Sequence, residues 1–343
     1  MQNMQRLPLM ITLLSLLLLA GCPGARKQSA PPQNAGTASS APGTPTEQAG
    51  QAPGGQPLYL VTITPLKLIL DPLVGSRGRV EVLLPPGASS HTYEPKPSDA
   101  QRAAQATALI WVGQDFDAWA AKLATTANIE LLPLVPPDML MKAGASEIAK
   151  QPGADGAAST EHTAGAGDVV AQADPHFFTD PIAVAGLLPP LAEKLGQLDP
   201  AGAQDYQRYG AALIAQLMAL NEQLSTKLEP LYGQPVILYH PSFSYFVRRY
   251  GMRLDGLIEA FPGKEPSPQE LTKLVETAKR DKVRAIFDET LLPKQPAESV
   301  AEAAGLPVYE LDPSCGASER NYQSYREWLL YNADIFLKAL KQG

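Results

Sequence analysis

Residues 201–229 contain no proline and only two glycines, Gly202 and Gly210, while Leu213, Leu217, Leu220 and Leu224 recur at helical spacing. Asp199-Pro200 just before them supplies a capping residue and a proline suited to the first helical position. A helix of that length spans about 45 Å at 1.5 Å per residue, longer than one compact lobe requires. It predicts a rigid spine joining two lobes, and with a stiff joint, small movements of loops rather than wide hinge closure.

Both flanks of the spine alternate strand and helix, the pattern of a parallel sheet. Residues 59–64, 80–84 and 109–113 read as strands on one side; 236–239, 284–287 and 307–311 read as strands on the other. Ser98-Asp99-Ala100-Gln101 fits a capping box for a helix through Ala108, residues 117–125 are helical by composition, and Ser267-Pro268-Gln269-Glu270 combines a capping box with an N-terminal proline. Gly305 suits the end of a helix that begins near Pro296. The expected fold is α/β: an N-terminal lobe over 58–198, a linking helix over 199–230 and a C-terminal lobe over 231–343, each lobe a mostly parallel sheet flanked by helices. Residues 142–169, rich in Gly, Ala, Ser and Thr, read as a flexible insertion in the first lobe.

The start of the chain concerns location. Arg6, an apolar run over 7–20 and Leu19-Ala20-Gly21-Cys22 resemble a lipoprotein signal peptide cleaved before a lipidated Cys22. Residues 23–57 hold Pro, Gly, Ala, Ser, Thr and Gln without aromatic or large aliphatic side chains, so they read as a disordered tether with a reach of about 30 to 35 Å. The body is expected outside the cytoplasm, anchored to the cell membrane by lipid. A formal charge of -7 argues against a nucleic-acid partner and favours cations. With only 2 cysteines and Cys22 lipidated, Cys315 is left alone, which excludes an intramolecular disulfide and a cysteine-based zinc site; its ordinary reading is a small buried side chain.

There are only 4 histidines. His91 follows a strand and precedes a capped helix, where ligands of open α/β sheets gather. His176 is fixed between Pro175 and Pro181 ahead of a helix; His240 directly ends the strand 236–239; and Asp312 follows the strand ending at Leu311. Taken singly, each has a bland alternative: a loop residue, a buried hydrogen-bonded histidine, a turn residue before Pro313. Sharing one kind of location, they read jointly as metal ligands, two from each lobe. Glu289, after 285–288, reads as a supporting acceptor, a substitute ligand or a merely solvated carboxylate, and His162, in the insertion, as a solvated loop histidine or else a weak auxiliary ligand.

The stretches 84–99, 174–181, 239–251 and 266–313 resemble the signature segments of the zinc and manganese solute-binding proteins of bacterial ABC importers, often called cluster A-I. The resemblance covers nearly everything after the tether. It implies two α/β lobes joined by one long helix with the metal in the cleft, ligand positions on His91, His176, His240 and Asp312, and a permease with its ATPase as partner, served by a monomer. Phe177 stands where an aromatic, often tryptophan, is usual, Pro241 replaces a common acidic residue, and the insertion holds only His162 where zinc members often carry a histidine-rich loop. Three imidazoles and one carboxylate suit tetrahedral zinc, whereas manganese prefers more oxygen, and manganese-selective relatives typically place a carboxylate where His240 stands. The expected function is high-affinity capture of Zn2+ and delivery for import, not catalysis. Alternatives are a manganese-binding member or a metal-dependent adhesin, and more remotely a zinc hydrolase, against which stands the absence of an HExxH signature.

Overall fold

A computed structural model of the chain describes residues 55–341 except 124, 126, 143–172, 261–262 and 316–319. Cys22, almost all of the tether, and His162 with nearly all of the insertion lie outside the described residues. Among those described, no helix is long and apolar enough to cross a membrane.

The first lobe is built from β1 (Leu58–Val61), α1 (Thr64–Val74), β2 (Arg79–Val82), α2 (Pro97–Gln105), β3 (Ala108–Trp111), the single turn α3 (Gln114–Asp117) and β4 (Asn128–Glu130). Then come α4 (Pro181–Leu198) and α5 (Ala203–Leu228). The second lobe contains β5 (Pro235–Leu238), α6 (Ser244–Arg249), β6 (Arg253–Leu257), α7 (Pro268–Arg280), β7 (Ile286–Glu289), α8 (Lys294–Ala304), β8 (Val308–Leu311) and α9 (Tyr325–Leu340). The sheets are β2-β1-β3-β4 and β6-β5-β7-β8, parallel throughout, with Tyr59 facing both Val80 and Ala108 in one, and Ile237 facing Ile286 in the other. Both have the same order, so each has a switch point where the connections leaving its first and third strands diverge.

Each sheet is covered on both faces, as parallel sheets require. One continuous core runs from Tyr59, Val61 and Ile110 through Leu213, Leu217, Leu220, Leu224 and Leu228 of α5 to Val236, Leu238 and Phe287. Leu60, Leu109 and Trp111 back the first sheet in a separate cluster, and Ile237, Ile286 and Val300 back the second. The spine is 26 residues of α-helix, about 39 Å, with 3-10 turns at both ends. Asp199 does not cap it: its carboxylate receives the Arg77 guanidinium at 2.9 Å and the Tyr206 hydroxyl at 3.0 Å, while Tyr206 also meets the Tyr59 hydroxyl at 2.8 Å. The spine is thereby bolted to the first sheet.

Local expectations fare unevenly. The box at Ser267 forms, with Glu270 N–H on Ser267 Oγ and Ser267 N–H on Glu270 Oε2, and Gly305 ends α8 at φ +72°. The box expected at Ser98 sits earlier: Asp99 Oδ2 accepts the Lys96 N–H at 2.8 Å, because Pro97 takes the first helical position. The helix expected over 117–125 is a 3-10 segment, Ala118–Lys122, after the short α3. Two strands escape sequence reading. β4 is three residues long, and β6 alternates the half-buried charges Arg253 and Asp255 with Leu254, Gly256 and Leu257; a Cβ at Gly256 would lie 2.5 Å from Leu274 of α7, so glycine there permits helix and strand to touch.

Candidate metal centre

The loop between β2 and α2 brings His91 to the cleft, where Phe116 meets its ring edge-on at a centroid distance of 4.7 Å. His176 opens a 3-10 turn, His176–Thr179, ahead of α4, whose N-cap is Asp180. Asp174 fixes it: Oδ1 accepts the His176 backbone N–H at 2.9 Å and lies 2.6 Å from Nδ1. That contact ties down one ring nitrogen and leaves Nε2 for the cleft. His240 leaves the end of β5 in extended backbone, stopped by Pro241, which starts a 3-10 turn into α6. Its Nδ1 lies 3.3 Å from the Glu259 carbonyl, and its Nε2 is buried with no hydrogen-bond partner among the described residues. A buried polar atom in that condition is costly unless something arrives to satisfy it.

The three rings come from loops 64 to 149 residues apart in sequence and meet at centroid distances of 5.0 to 5.8 Å. One ligand atom from each lies within 4.8 Å of the others. Nitrogens on a tetrahedral zinc at 2.0–2.1 Å would stand about 3.3 Å apart, so small ring movements close the cluster. They line a cavity of about 300 Å³ with Ser242, Glu259, Glu265 and Glu289, and no lysine or arginine is among its described lining.

Burial, and then the neighbouring His176 and His91, hold His240 well below the ordinary histidine pKa, so its ring is a neutral donor at pH 7. Burial pushes Glu289 up to about 8 even though the Ser242 hydroxyl donates to its Oε1, and burial also raises Glu259. An incoming dication would reverse that balance by favouring the charged carboxylates.

Asp312 is buried, but it neither joins the histidine cluster nor lines the cavity, where Pro313 and Ser314 stand instead. The C-terminal helix holds its backbone, Asn332 Oδ1 accepting its N–H at 2.9 Å and Trp328 Nε1 donating to its carbonyl at 2.6 Å, and Tyr322 donates to Oδ2 at 3.1 Å. Glu289, in contrast, is on the cavity wall as the last residue of β7 rather than beyond the strand. Cys315 is buried at φ +56°, its thiol pKa pushed well up by burial and then by Asp312. Sequence reading missed Asp174, Ser242 and Glu259. The first two carry a usable signal, a short polar side chain two residues from a histidine; Glu259 acts through its carbonyl and has none.

Residues 60–339 match the family described as zinc-uptake complex component A, periplasmic. The chain is 23% identical over 285 residues to zinc-binding lipoprotein AdcA of Streptococcus pneumoniae, 82% of this chain but 55% of that protein, so it spans about half of that relative's length. It is 23% identical over 308 residues to manganese-binding lipoprotein MntA of Halalkalibacterium halodurans, covering 88% of this chain and 95% of that one. A crystal structure of ZnuA superposes with a TM-score of 0.65 at 29% identity, over 82% of this chain and 98% of the other. The fold, the order of its segments and the matched length agree: this chain belongs to the zinc-uptake complex component A family.

Proposed function

We propose that the protein captures Zn2+ outside the cytoplasm and hands it to an ABC permease with its ATPase for import. The observation that carries this reading is the buried Nε2 of His240, without a hydrogen bond, facing two more imidazoles in a cavity lined by carboxylates. His91, His176 and His240 are the nitrogen ligands in this proposal. An oxygen completes the shell, and the cavity lining favours Glu289, directly or through a water, over Asp312. Three nitrogens against one oxygen suit zinc better than manganese. Relatives carry both metals in their names, and the donor set supports zinc. Cargo held by histidines on separate loops can be captured and released without bond chemistry in the protein, which acts as a binding component and not as an enzyme. Lipidation at Cys22 would keep the body beside the permease.

Titration calorimetry with Zn2+ and Mn2+, alongside His240→Asp, tests the reading. Zinc bound tightly by the wild type, with the variant shifted towards manganese, is expected; preferential Mn2+ binding by the wild type overturns it.

A further inference from the structure

The turn that presents His176 is first-lobe sequence held by second-lobe side chains. Tyr245, on α6, donates to the Asp174 carbonyl at 2.8 Å and accepts the Met141 N–H at 3.0 Å. Tyr325, the first residue of α9, donates to the Phe178 carbonyl at 2.8 Å. Arg249, the last residue of α6, forks onto Asp180, with Nε at 2.9 Å from both oxygens and Nη2 at 2.7 Å from Oδ2. Asp180 also caps α4 by accepting the Ile182 N–H at 2.8 Å. Phe178 in addition stacks near Trp328 of α9, centroids 6.4 Å apart. Residues 174, 178 and 180 are therefore each tied across the lobe boundary, on both sides of His176. Tyr245, Tyr325, Asp174 and Asp180 are all buried, where a broken polar pair is expensive.

The loop of His91 is held otherwise. The Ser90 carbonyl accepts the indole N–H of Trp119, a first-lobe residue, at 2.8 Å. His240 is an integral part of the second sheet's switch point.

We propose that Tyr245, Tyr325 and Arg249 are positioning residues for His176, so that the site divides two against one: His176 and His240 travel with the C-terminal lobe, and of the three clustered imidazoles His91 alone travels with the N-terminal lobe. This rests on the zinc-capture reading and adds a release route, in which His91 parts from a pair that stays together. The path runs from the Tyr245 hydroxyl to the Asp174 peptide, and from Asp174 Oδ1 to the His176 ring. Removing the hydroxyl unpairs the Asp174 carbonyl and the Met141 N–H and loosens the ring's orientation. A ligand that is no longer held in place before the ion arrives binds more weakly.

The test is a set of cycles in the full-length protein, with Zn2+ dissociation followed by a chromophoric chelator and the visible spectrum of bound Co2+ as a second readout. Tyr245→Phe is expected to speed dissociation about 10-fold, in the range for groups that orient metal ligands, and to alter the Co2+ spectrum. The same change should persist in His91→Ala and vanish in His176→Ala; Tyr325→Phe should repeat the pattern more weakly. Equal effects in both histidine backgrounds, or a lowered melting temperature with unchanged dissociation and spectrum, would overturn the positioning role. Failure of the wild type to bind any divalent ion would instead remove the capture reading beneath it.

Discussion

In the N-terminal lobe the crevice between β1 and β3 is filled by Asp117, whose Oδ2 accepts the Thr62 hydroxyl at 2.5 Å and the Val112 N–H at 3.0 Å while Oδ1 accepts the Gly113 N–H at 3.0 Å. In the C-terminal lobe the matching crevice between β5 and β7 holds His240, with its unsatisfied Nε2, and Glu289, anchored by Ser242. One topology thus uses its switch point as a plug in one half and as a binding surface in the other. The difference lies in what each buried polar group still lacks. Asp117 has donors from both diverging strand ends and needs nothing more; His240 has a partner on one nitrogen only.

That contrast can be broken by experiment. Sharing the roughly 10–16 kcal/mol of a structural zinc site among four ligands gives about 2.5–4 kcal/mol each, so His240→Ala should weaken zinc binding on the order of 10²- to 10³-fold in calorimetry while leaving the zinc-free melting temperature nearly unchanged. Asp117→Asn should do the reverse. Turning an amide NH2 towards backbone donors leaves buried groups unpaired, at about 2 kcal/mol in denaturant unfolding of the zinc-free protein, with zinc affinity within a factor of two or so of wild type. A large affinity loss in Asp117→Asn would erase the distinction between the crevices.

Glu289→Gln sharpens the comparison within the second lobe: about a 10-fold loss of zinc affinity is expected, and a larger loss in Asp312→Asn would return the oxygen position to Asp312. The smallest effect concerns acid. Burial raises Asp117 from 3.8 to about 6, so the native state holds its proton longer than the unfolded chain. The stabilisation from this raised value is complete below about pH 4 and is lost as pH climbs through 6. The melting gap between zinc-free wild type and Asp117→Asn should therefore be wider at pH 4 than at pH 7. His240, depressed by burial, works in the opposite sense: its contribution is present above pH 6.5 and is lost as acid forces the ring to charge, so His240→Ala should flatten the decline of zinc-free stability below that pH.

The sequence by itself determined the covalent order of events: strand and helix alternating around an unbroken apolar stripe, and three histidines placed at loops or strand ends. Those features are local, since helical spacing, caps at Ser267 and Gly305, and strand composition act over a few residues. Short or charged strands such as β4 and β6 hid because their pairing partners, not their own side chains, make them strands. Only the tertiary structure decided which of these side chains meet. Distance between loops of different lobes is set by packing on the spine, and ring orientation by contacts such as Tyr245 to Asp174, more than 70 residues apart. For the same reason Asp312 and Glu289, alike in sequence as acids near strand ends, keep different company: the C-terminal helix binds the backbone of Asp312, while β7 sets Glu289 among the residues lining the cavity.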